Sequence, residues 1–258
     1  MISAEKHEQF QRLLKIMDEL RTQCPWDREQ TWETLRQLSI EEVYELSDAI
    51  LTNDVQEVKK ELGDLLLHII FYSKIAEEKS YFDIGDVMDE LCAKLIRRHP
   101  HIYGNAVADN SNAVKQNWEQ IKLQEKGNKR QSVLQGLPKS MPSLVKAYRM
   151  QEKVASVGFD WNTSAECFAK VKEELNEFET AENPIEREKE FGDLIFALVN
   201  YARKSGINPD NALEYTNQKF QNRFQFIETE ATNQGRNLID MTLEEMDAIW
   251  DKSKKIYK

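Results

Sequence analysis

Carboxylates at helical spacing occur twice in this chain of 258 residues. The segment Glu41–Glu45 (EEVYE) is matched by Glu173–Glu177 (EELNE), 132 residues later. The segment Glu61–Asp64 (ELGD) is matched by Glu190–Asp193 (EFGD), 129 residues later. The outer acidic residues of each segment are three or four positions apart, which places them on one face of an α-helix. The pattern therefore predicts helices with the same acidic faces in both halves of the chain.

Two segments further along the chain repeat in the same order. Lys94–Arg98 (KLIRR) is matched by Lys219–Arg223 (KFQNR) at an offset of 125 residues, and Trp118–Lys122 (WEQIK) by Trp250–Lys254 (WDKSK) at an offset of 132. Because these offsets drift by only a few residues, they indicate a duplicated domain with small changes in length.

Apolar periodicity predicts where the helices lie. Residues from Phe10 to Leu20 recur at three- and four-residue spacing, which predicts an amphipathic helix followed by a loop at Cys24–Asp27. Further helices are predicted over residues 31–51, 55–78 and 84–98 and around Trp118, with Pro100 ending the fourth. The second and third should form an antiparallel hairpin. No alternating strand pattern appears in the sequence.

Residues 126–142 combine glycine, proline and polar side chains without an apolar stripe, which is typical of a linker. We therefore predict two domains, at residues 1–125 and 143–258, joined by this linker. The chain contains only 9 Gly and 6 Pro and is 40% hydrophobic and 31% charged, which favours helices over disorder or β-structure. The predicted fold class is all-α, with two tandem helical bundles.

The charge and the chain ends restrict the partners. A formal net charge of -10 argues against binding to a nucleic-acid polymer or an anionic membrane. The first residues lack the apolar core of a signal peptide, and the longest apolar run, Leu65–Tyr72, is too short to span a bilayer. We expect a cytoplasmic protein. Cys24, Cys92 and Cys167 are far apart and are expected to be small buried hydrophobes rather than disulfide or zinc ligands.

The acidic faces suggest metal chemistry. If the helices pack antiparallel, four or five carboxylates converge, and such a group either takes up protons or recruits cations. Oxygen ligands suit Mg²⁺, with Mn²⁺ as a substitute, and Mg²⁺ usually binds together with substrate phosphates. A glutamate-rich helix is more often a solvated face. Here, however, apolar residues interleave with the acids, the pattern occurs twice, and Gly192 stands where close helix approach would require glycine.

Other catalytic groups find less support. The chain has no Glu-x-x-His pair of the kind that di-iron bundles use, and no P-loop or serine and zinc hydrolase motif. His68 is expected to be a satisfied core residue, while His99 and His101 either cap a helix or contact phosphate. The remaining nucleophile is a metal-activated water. Lys219 with Arg223, and Trp250 with Lys254, are spaced to share a helix face and to reach polyphosphate oxygens.

Taken together, these motifs resemble the MazG family of nucleoside triphosphate pyrophosphohydrolases in its two-repeat form, over nearly the whole chain. The resemblance implies an all-α NTP pyrophosphohydrolase fold, Mg²⁺-dependent hydrolysis of NTP or dNTP to the monophosphate and pyrophosphate, and a homodimer. It further implies that the second repeat is the main catalytic unit and that the stretches Lys170–Glu174 and Glu186–Glu190 border the nucleotide.

The resemblance assigns roles to individual residues. The catalytic candidates are Glu173, Glu174, Glu177, Glu190 and Asp193, and all but Glu173 are candidate metal ligands. The candidate substrate contacts are Lys170, Lys172, Lys189, Lys219, Arg223, Trp250 and Lys254. The first repeat offers a second candidate site, made of Glu41, Glu42, Glu45, Glu61, Asp64, Lys94, Arg98, Trp118 and Lys122.

A mechanism follows as a hypothesis. Bound Mg²⁺ activates a water for in-line attack on the α-phosphorus, while Lys and Arg side chains neutralise the departing pyrophosphate and Glu173 or a neighbour accepts the proton. Two alternatives stay open: a module that binds metal-nucleotide without turnover, and a helical dimerisation scaffold. Retention of both carboxylate sets favours the enzyme. The sequence leaves open whether the first repeat is active, and whether the role is removal of aberrant nucleotides or regulation of nucleotide pools.

Overall fold

The computed structural model describes residues 4–107, 110, 114, 117, 118, 121 and 132–257. Its described residues form helices and turns and contain no β-strand, which confirms the predicted all-α class. The chain divides into a first unit, Met1–Val114, and a second unit, Lys115–Lys258. The boundaries at residues 125 and 143 stay a prediction, because much of the proposed linker lies outside the described residues. None of the described helices is both long and apolar enough to cross a bilayer.

The first unit contains six described helices, and the predicted helices after the first agree with them closely. They are α1 (Ala4–Gln23), α2 (Pro25–Glu29), α3 (Trp32–Leu51), α4 (Val55–Glu78), α5 (Ile84–Arg98) and α6 (Pro100–Tyr103). The predicted loop at Cys24–Asp27 is wrong in part, because Pro25 starts the short helix α2. Proline is favourable at a first helical position, where its missing N–H costs nothing. Around Trp118, the described residues 117, 118 and 121 are helical.

The second unit repeats the first unit's main helices. Its described helices are α7 (Ser143–Ala155), α8 (Ser164–Thr180), α9 (Pro184–Lys204), α10 (Pro209–Asn233) and α11 (Leu243–Ser253), with a 3₁₀ turn at Leu238–Asp240. The hairpin of α3 and α4 corresponds to that of α8 and α9. In each hairpin a three-residue connection joins the two helices, which makes them antiparallel neighbours.

The helices of the two units begin at equivalent capping residues. Each cap's side-chain oxygen accepts hydrogen bonds from backbone N–H groups in the first turn, which otherwise lack partners. The offsets between the paired caps, 132, 129 and 125 residues, are those of the charged motifs that follow them, two acidic and one basic. The pairs are Thr31 with Thr163, Asp54 with Asn183, and Asp83 with Asn208.

A core cluster holds the first hairpin against helix α1. Met17, Leu35, Ile70, Phe71 and Ile75 are each at most 3% exposed and pack together. Burying a side chain of this size contributes about 1.5–3 kcal/mol. The Trp32 indole N–H also donates to the Tyr72 carbonyl at 3.1 Å, which ties the start of α3 to α4. This packing fixes how the two acidic helices face each other.

The second unit has two smaller clusters. Val171 packs with Leu194 and Ala197 between α8 and α9. Ile227, Ala231, Met241 and Ile249 join α10 to α11, with Trp250 packed against them. The acidic hairpin and the Trp250 region therefore have separate cores.

Two of the expectations about small residues are wrong. Cys167 is buried and Cys24 is half-buried, but Cys92 is exposed on α5, so it is not a core hydrophobe. Gly192 does not serve close packing within the described part of its unit, because a Cβ atom added there meets no atom within 4 Å. The equivalent Gly63 is open in the same way.

Candidate metal centres

The second unit brings three predicted ligands together. Glu174 and Glu177 lie one turn apart on α8, and Glu190 projects from α9. One carboxylate oxygen from each lies within 4.8 Å of the others, and we call this group the second carboxylate cluster. Asp193, one turn after Glu190, is a predicted ligand that does not belong to this group of described residues.

A lysine is paired with the most buried acid of this cluster. The Lys170 ammonium lies 2.7 Å from an oxygen of Glu174, which is 7% exposed, and 2.6 Å from one of Glu173. These hydrogen bonds raise the pKa of Lys170. Lys170 therefore compensates part of the negative charge of Glu173 and Glu174.

Glu177 lies in an environment that disfavours its negative charge. Desolvation raises its pKa, and the negative charges of Glu174, Glu173 and Glu190 raise it further against the opposing effect of Lys170. A carboxyl group in this environment gains from a neighbouring cation. Three converging oxygens, one of them from a nearly buried side chain, form a donor set that fits a hard divalent ion such as Mg²⁺ or Mn²⁺.

The first unit forms an equivalent group from Glu42, Glu45 and Glu61, with one oxygen of each within 4.8 Å of the others. We call it the first carboxylate cluster. Desolvation and the charges of Asp64, Glu45 and Glu61 raise the pKa of Glu42. Glu61 is 2% exposed, and its Oε2 has no hydrogen-bond partner among the described residues. A buried carboxylate oxygen without a partner is costly, so this cluster also fits a cation.

The two clusters use different lysines. In the first, the Lys60 ammonium lies 2.9 Å from Glu61, and this hydrogen bond lowers the pKa of Glu61. The equivalent Lys189 is exposed, and no ion pair joins it to Glu190 among the described residues. Conversely, Leu38 stands in the first unit where the second has Lys170. The sequence motifs did not reveal Lys60, whose only signal was its place immediately before Glu61.

The basic residues downstream form a separate group. Arg223 donates to the Tyr257 carbonyl at 3.0 and 2.7 Å and lies over the Trp250 ring. Lys254 pairs with Asp251 at 2.8 Å, and Lys219 is half-buried on α10. Among the described contacts none joins these side chains to the carboxylate cluster. Their role as substrate contacts stays a prediction.

The remaining predicted residues occupy varied settings. Lys172 lies 5.1 Å from the Phe168 ring centroid, on the helix that carries Glu174. Glu41 is exposed on α3, while Lys94 and Arg98 are half-buried on α5. Trp118 is half-buried, and Lys122 lies outside the described residues.

The histidines lie outside both clusters. His68 is buried in α4 as predicted, and burial lowers its pKa, but its Nδ1 finds no hydrogen-bond partner in the part of the chain that the structure describes. It is therefore a core residue that is not fully satisfied. His99 ends α5 as its C-cap, with Nδ1 2.6 Å from the Leu95 carbonyl. Of the two alternatives for His99, the structure shows the cap.

Comparisons with known proteins identify the family of this chain. A family model for the MazG nucleotide pyrophosphohydrolase domain matches residues 30–103. A nucleoside triphosphate pyrophosphohydrolase of Escherichia coli K12 is 40% identical over 256 residues, covering 96% of this chain and 97% of the relative. A nucleoside triphosphate pyrophosphohydrolase/pyrophosphatase MazG of Thermotoga maritima is 41% identical over 247 residues, with 95% of each chain covered.

Other matches extend beyond this chain or cover only part of it. The Bacillus subtilis protein YabN is 43% identical over 255 residues, which span 96% of this chain but 52% of YabN. A crystal structure of a mazG-related protein from Thermotoga maritima aligns with 43% of this chain and 97% of its own, at 23% identity and a TM-score of 0.39. Because these two pyrophosphohydrolases are 40% and 41% identical to it over nearly the full length of each protein, the chain belongs to the MazG family and is a nucleoside triphosphate pyrophosphohydrolase.

Proposed function

We propose that the second carboxylate cluster binds Mg²⁺, with Mn²⁺ as a substitute, and is the main site at which the chain hydrolyses NTP and dNTP to the monophosphate and pyrophosphate. The observation that carries this proposal is the convergence of Glu174, Glu177 and Glu190 within 4.8 Å, with a raised pKa at Glu177. Asp193, one turn along α9, completes the proposed ligand set.

The protein's own residues supply binding and proton transfer. When bound, the ion provides an acidified water and neutralises phosphate charge. Water attacks the α-phosphorus, the bond to the bridging oxygen breaks, and pyrophosphate leaves. Glu173, exposed beside the cluster and paired with Lys170, accepts the proton of the attacking water. Lys219 and Arg223 neutralise the leaving pyrophosphate.

The remaining basic residues are proposed to hold the rest of the nucleotide. Lys172 and Lys189 lie on the helices that carry the cluster, where they would meet phosphate oxygens. Trp250 and Lys254 would contact the nucleotide beside Arg223. The first carboxylate cluster is proposed as a second site with its own metal. There Lys60, like Lys170 in the second cluster, pairs with the buried glutamate.

We also propose a homodimer that forms through the acidic hairpins. Each hairpin carries an exposed apolar stripe along its second helix, and the two stripes occupy equivalent positions. They consist of Leu62, Leu66 and Ile69 on α4 and Phe191, Ile195 and Leu198 on α9. Gly63 and Gly192 lie beside these stripes with no neighbour, which would permit close approach by a helix of a second copy. Sedimentation analysis of Ile195→Glu should show monomer where the unaltered chain shows dimer.

The cellular role follows from this chemistry. Cleavage to the monophosphate removes a nucleotide from the triphosphate pool in one step, and we place it in the cytoplasm. It serves either the removal of aberrant nucleotides or the regulation of the pools.

Product analysis tests the reaction. The full chain is incubated with each NTP and dNTP plus Mg²⁺, and the products are separated. We expect monophosphate and pyrophosphate. Orthophosphate with diphosphate would contradict attack at the α-phosphorus, and binding without turnover would favour the binding module. Glu174→Gln and Glu42→Gln in the same assay assign the activity: if only Glu42→Gln abolishes turnover, the first cluster is the main site.

A further inference from the structure

The second unit contains a cavity of about 430 Å³ beside the acidic hairpin. It lies where helix α7, helix α9 and the loop after α7 meet. Its walls are mainly apolar and aromatic, and three rings surround it. Its lining includes Gln151, Phe159, Asp160, Trp161, Phe196, Asn200 and Arg203. Pockets of this volume suit a small planar molecule.

The chain turn after α7 places two of the rings. Gly158 has a φ of +91°, a conformation that glycine adopts without strain, and the Phe159 N–H donates to the Val154 carbonyl at 3.0 Å. The turn leaves Phe159 80% exposed and Trp161 42% exposed. Both rings therefore expose apolar surface to solvent beside the cavity. A bound planar group would cover this surface.

The charged residues at the cavity are already paired. Arg203 forms an ion pair with Asp160 and donates to the Asn200 side-chain oxygen at 3.2 and 2.8 Å. Lys204 adds a second ion pair to Asp160 at 3.1 Å. Burial raises the pKa of Asp160, but the hydrogen bonds from Arg203 and Lys204 outweigh it, and the net pKa is lowered. The acid is therefore ionised and neutralised, and the cavity suits an uncharged group better than a phosphate.

Gln151 provides an unused acceptor in the cavity wall. It is 3% exposed, and its Nε2 donates to the Phe196 carbonyl at 2.9 Å. Because a carbonyl oxygen can only accept, the amide must present its Nε2 to it, and Oε1 is the free atom. Oε1 is buried and has no hydrogen-bond partner within the described part of the chain. Such an atom costs free energy unless a ligand brings an N–H or O–H group to it.

The cavity and the second carboxylate cluster share helix α9. Phe196 lies about one turn beyond the proposed ligand Asp193 and six residues beyond Glu190, an axial rise of about 9 Å from Glu190. This span is comparable to a ribose with its 5′-phosphate. We propose that the cavity is the nucleobase subsite of the second unit, in which Phe159, Trp161 and Phe196 contact the base and Gln151 Oε1 accepts an N–H of its edge. The proposal rests on the proposed function, since it supplies the base-binding part of the same site.

The first unit lacks the polar side chain at the equivalent place. At the offset of 129 residues, Phe71 stands in place of Asn200. Phe71 is 3% exposed, and the Arg21 guanidinium lies 5.4 Å from its ring centroid. A core aromatic thus occupies the position that in the second unit borders the cavity. The base subsite would therefore distinguish the two otherwise similar clusters.

A filling substitution tests the subsite. Asn200→Phe copies the residue of the first unit into the cavity, in the full chain with Glu42→Gln to silence the first cluster. We expect kcat/KM for ATP to fall roughly 10- to 100-fold, mainly through KM, since the pocket can no longer accept the base. Hydrolysis of ribose 5-triphosphate, which has no base, should stay within twofold. Asn233→Phe, the same change at an exposed position on α10, is the matched control.

A second experiment tests whether Gln151 Oε1 accepts a hydrogen bond from the base. ATP and purine riboside 5′-triphosphate differ only by the 6-amino group, and we expect the unaltered site to prefer ATP about tenfold. Gln151→Met should remove this preference and leave turnover of ribose 5-triphosphate unchanged. Equal losses for ATP and the base-free compound in both variants would overturn the proposal, since they would report damage to the fold. Unchanged ATP kinetics in Asn200→Phe would overturn it as well.

A binding measurement separates this proposal from the proposed function. Adenosine is titrated into metal-free protein and its contact is followed by saturation-transfer NMR. Binding that Asn200→Phe abolishes and Asn233→Phe retains supports the subsite even if the chain proves not to hydrolyse triphosphates. Equal signals in both variants contradict the subsite whatever the activity.

Discussion

Replacing Glu190 with glutamine removes one charge from the second carboxylate cluster and almost nothing else. Glutamine has the same shape, and no ion pair joins Glu190 to another described residue. We expect Glu190→Gln to have two opposite effects: the metal-free protein becomes more stable, and hydrolysis, measured in a chain whose first cluster is silenced by Glu42→Gln, falls more than about 100-fold. The second expectation follows because loss of a partner outside the ligand shell alone costs about 10- to 100-fold.

The gain in stability can be worked out from the geometry. The oxygens of Glu174 and Glu190 lie at most 4.8 Å apart. Two unit charges at this distance repel by about 3.5 kcal/mol at an effective dielectric constant of about 20. Screening at physiological salt, where the Debye length is about 8 Å, reduces this to about 2 kcal/mol. For a domain of this size, such a change raises Tm by roughly 4–8 °C.

Calorimetry with and without metal measures the effect. In EDTA, Glu190→Gln should melt at a higher temperature than the unaltered chain. With Mg²⁺, the unaltered chain should gain stability and the variant should gain little. The matched control is Glu61→Gln at the equivalent position, where the Lys60 ion pair at 2.9 Å already compensates the charge. Its Tm in EDTA should not rise.

One pattern of results would refute this reasoning. If Glu190→Gln melts at or below the temperature of the unaltered chain in EDTA, and still hydrolyses nucleotide when Glu42→Gln silences the first cluster, the three acids neither repel one another nor hold a metal. They would then be a solvated helix face.

Three further predictions concern the scaffold. Leu35→Ala empties a site that is 1% exposed and should cost about 3 kcal/mol in urea unfolding; a cost under about 1 kcal/mol would argue against the core of the first unit. Thr163→Ala removes the cap of α8 and should cost about 1 kcal/mol, whereas Thr163→Ser should cost less. Hydrogen bonds from Arg236, and then from the Thr242 backbone, lower the pKa of Glu245 from 4.5 to about 2. Its stabilisation is complete above pH 4.5 and is lost as pH falls towards 2, so the Tm difference between Glu245→Gln and the unaltered chain should close over that range.

Much of the acidic hairpin could be predicted from the sequence because its determinants are local. Cap residues such as Thr31 and Asp54 and the apolar periodicity define where helices begin and end, and the boundaries of α3 and α4 agree within one residue. The spacing of Glu174 and Glu177 predicts that they share a face. Convergence with Glu190 follows from the short connection between the helices, and the structure shows it.

What could not be predicted depends on side-chain direction across helices. Nothing in the motif indicates that Lys60 pairs with Glu61 while Lys189 leaves Glu190 unpaired. The cavity beside Gln151 likewise forms from three segments that are distant in the sequence. Glycine in a helix suggested close packing, yet the space beside Gly192 is open.

The matching helix caps also limit how the two halves can diverge. Glu42 lies 11 residues after Thr31, as Glu174 does after Thr163, and Glu61 and Glu190 each lie seven residues after their caps. Helix α8 is nevertheless three residues shorter than α3, and α9 is three shorter than α4. The residues that α8 and α9 lack are therefore missing from their C-terminal ends, after the carboxylates. Since one inserted residue turns a helix face by about 100°, a change ahead of an acid would point it away from the metal, whereas trimming behind it leaves its direction intact.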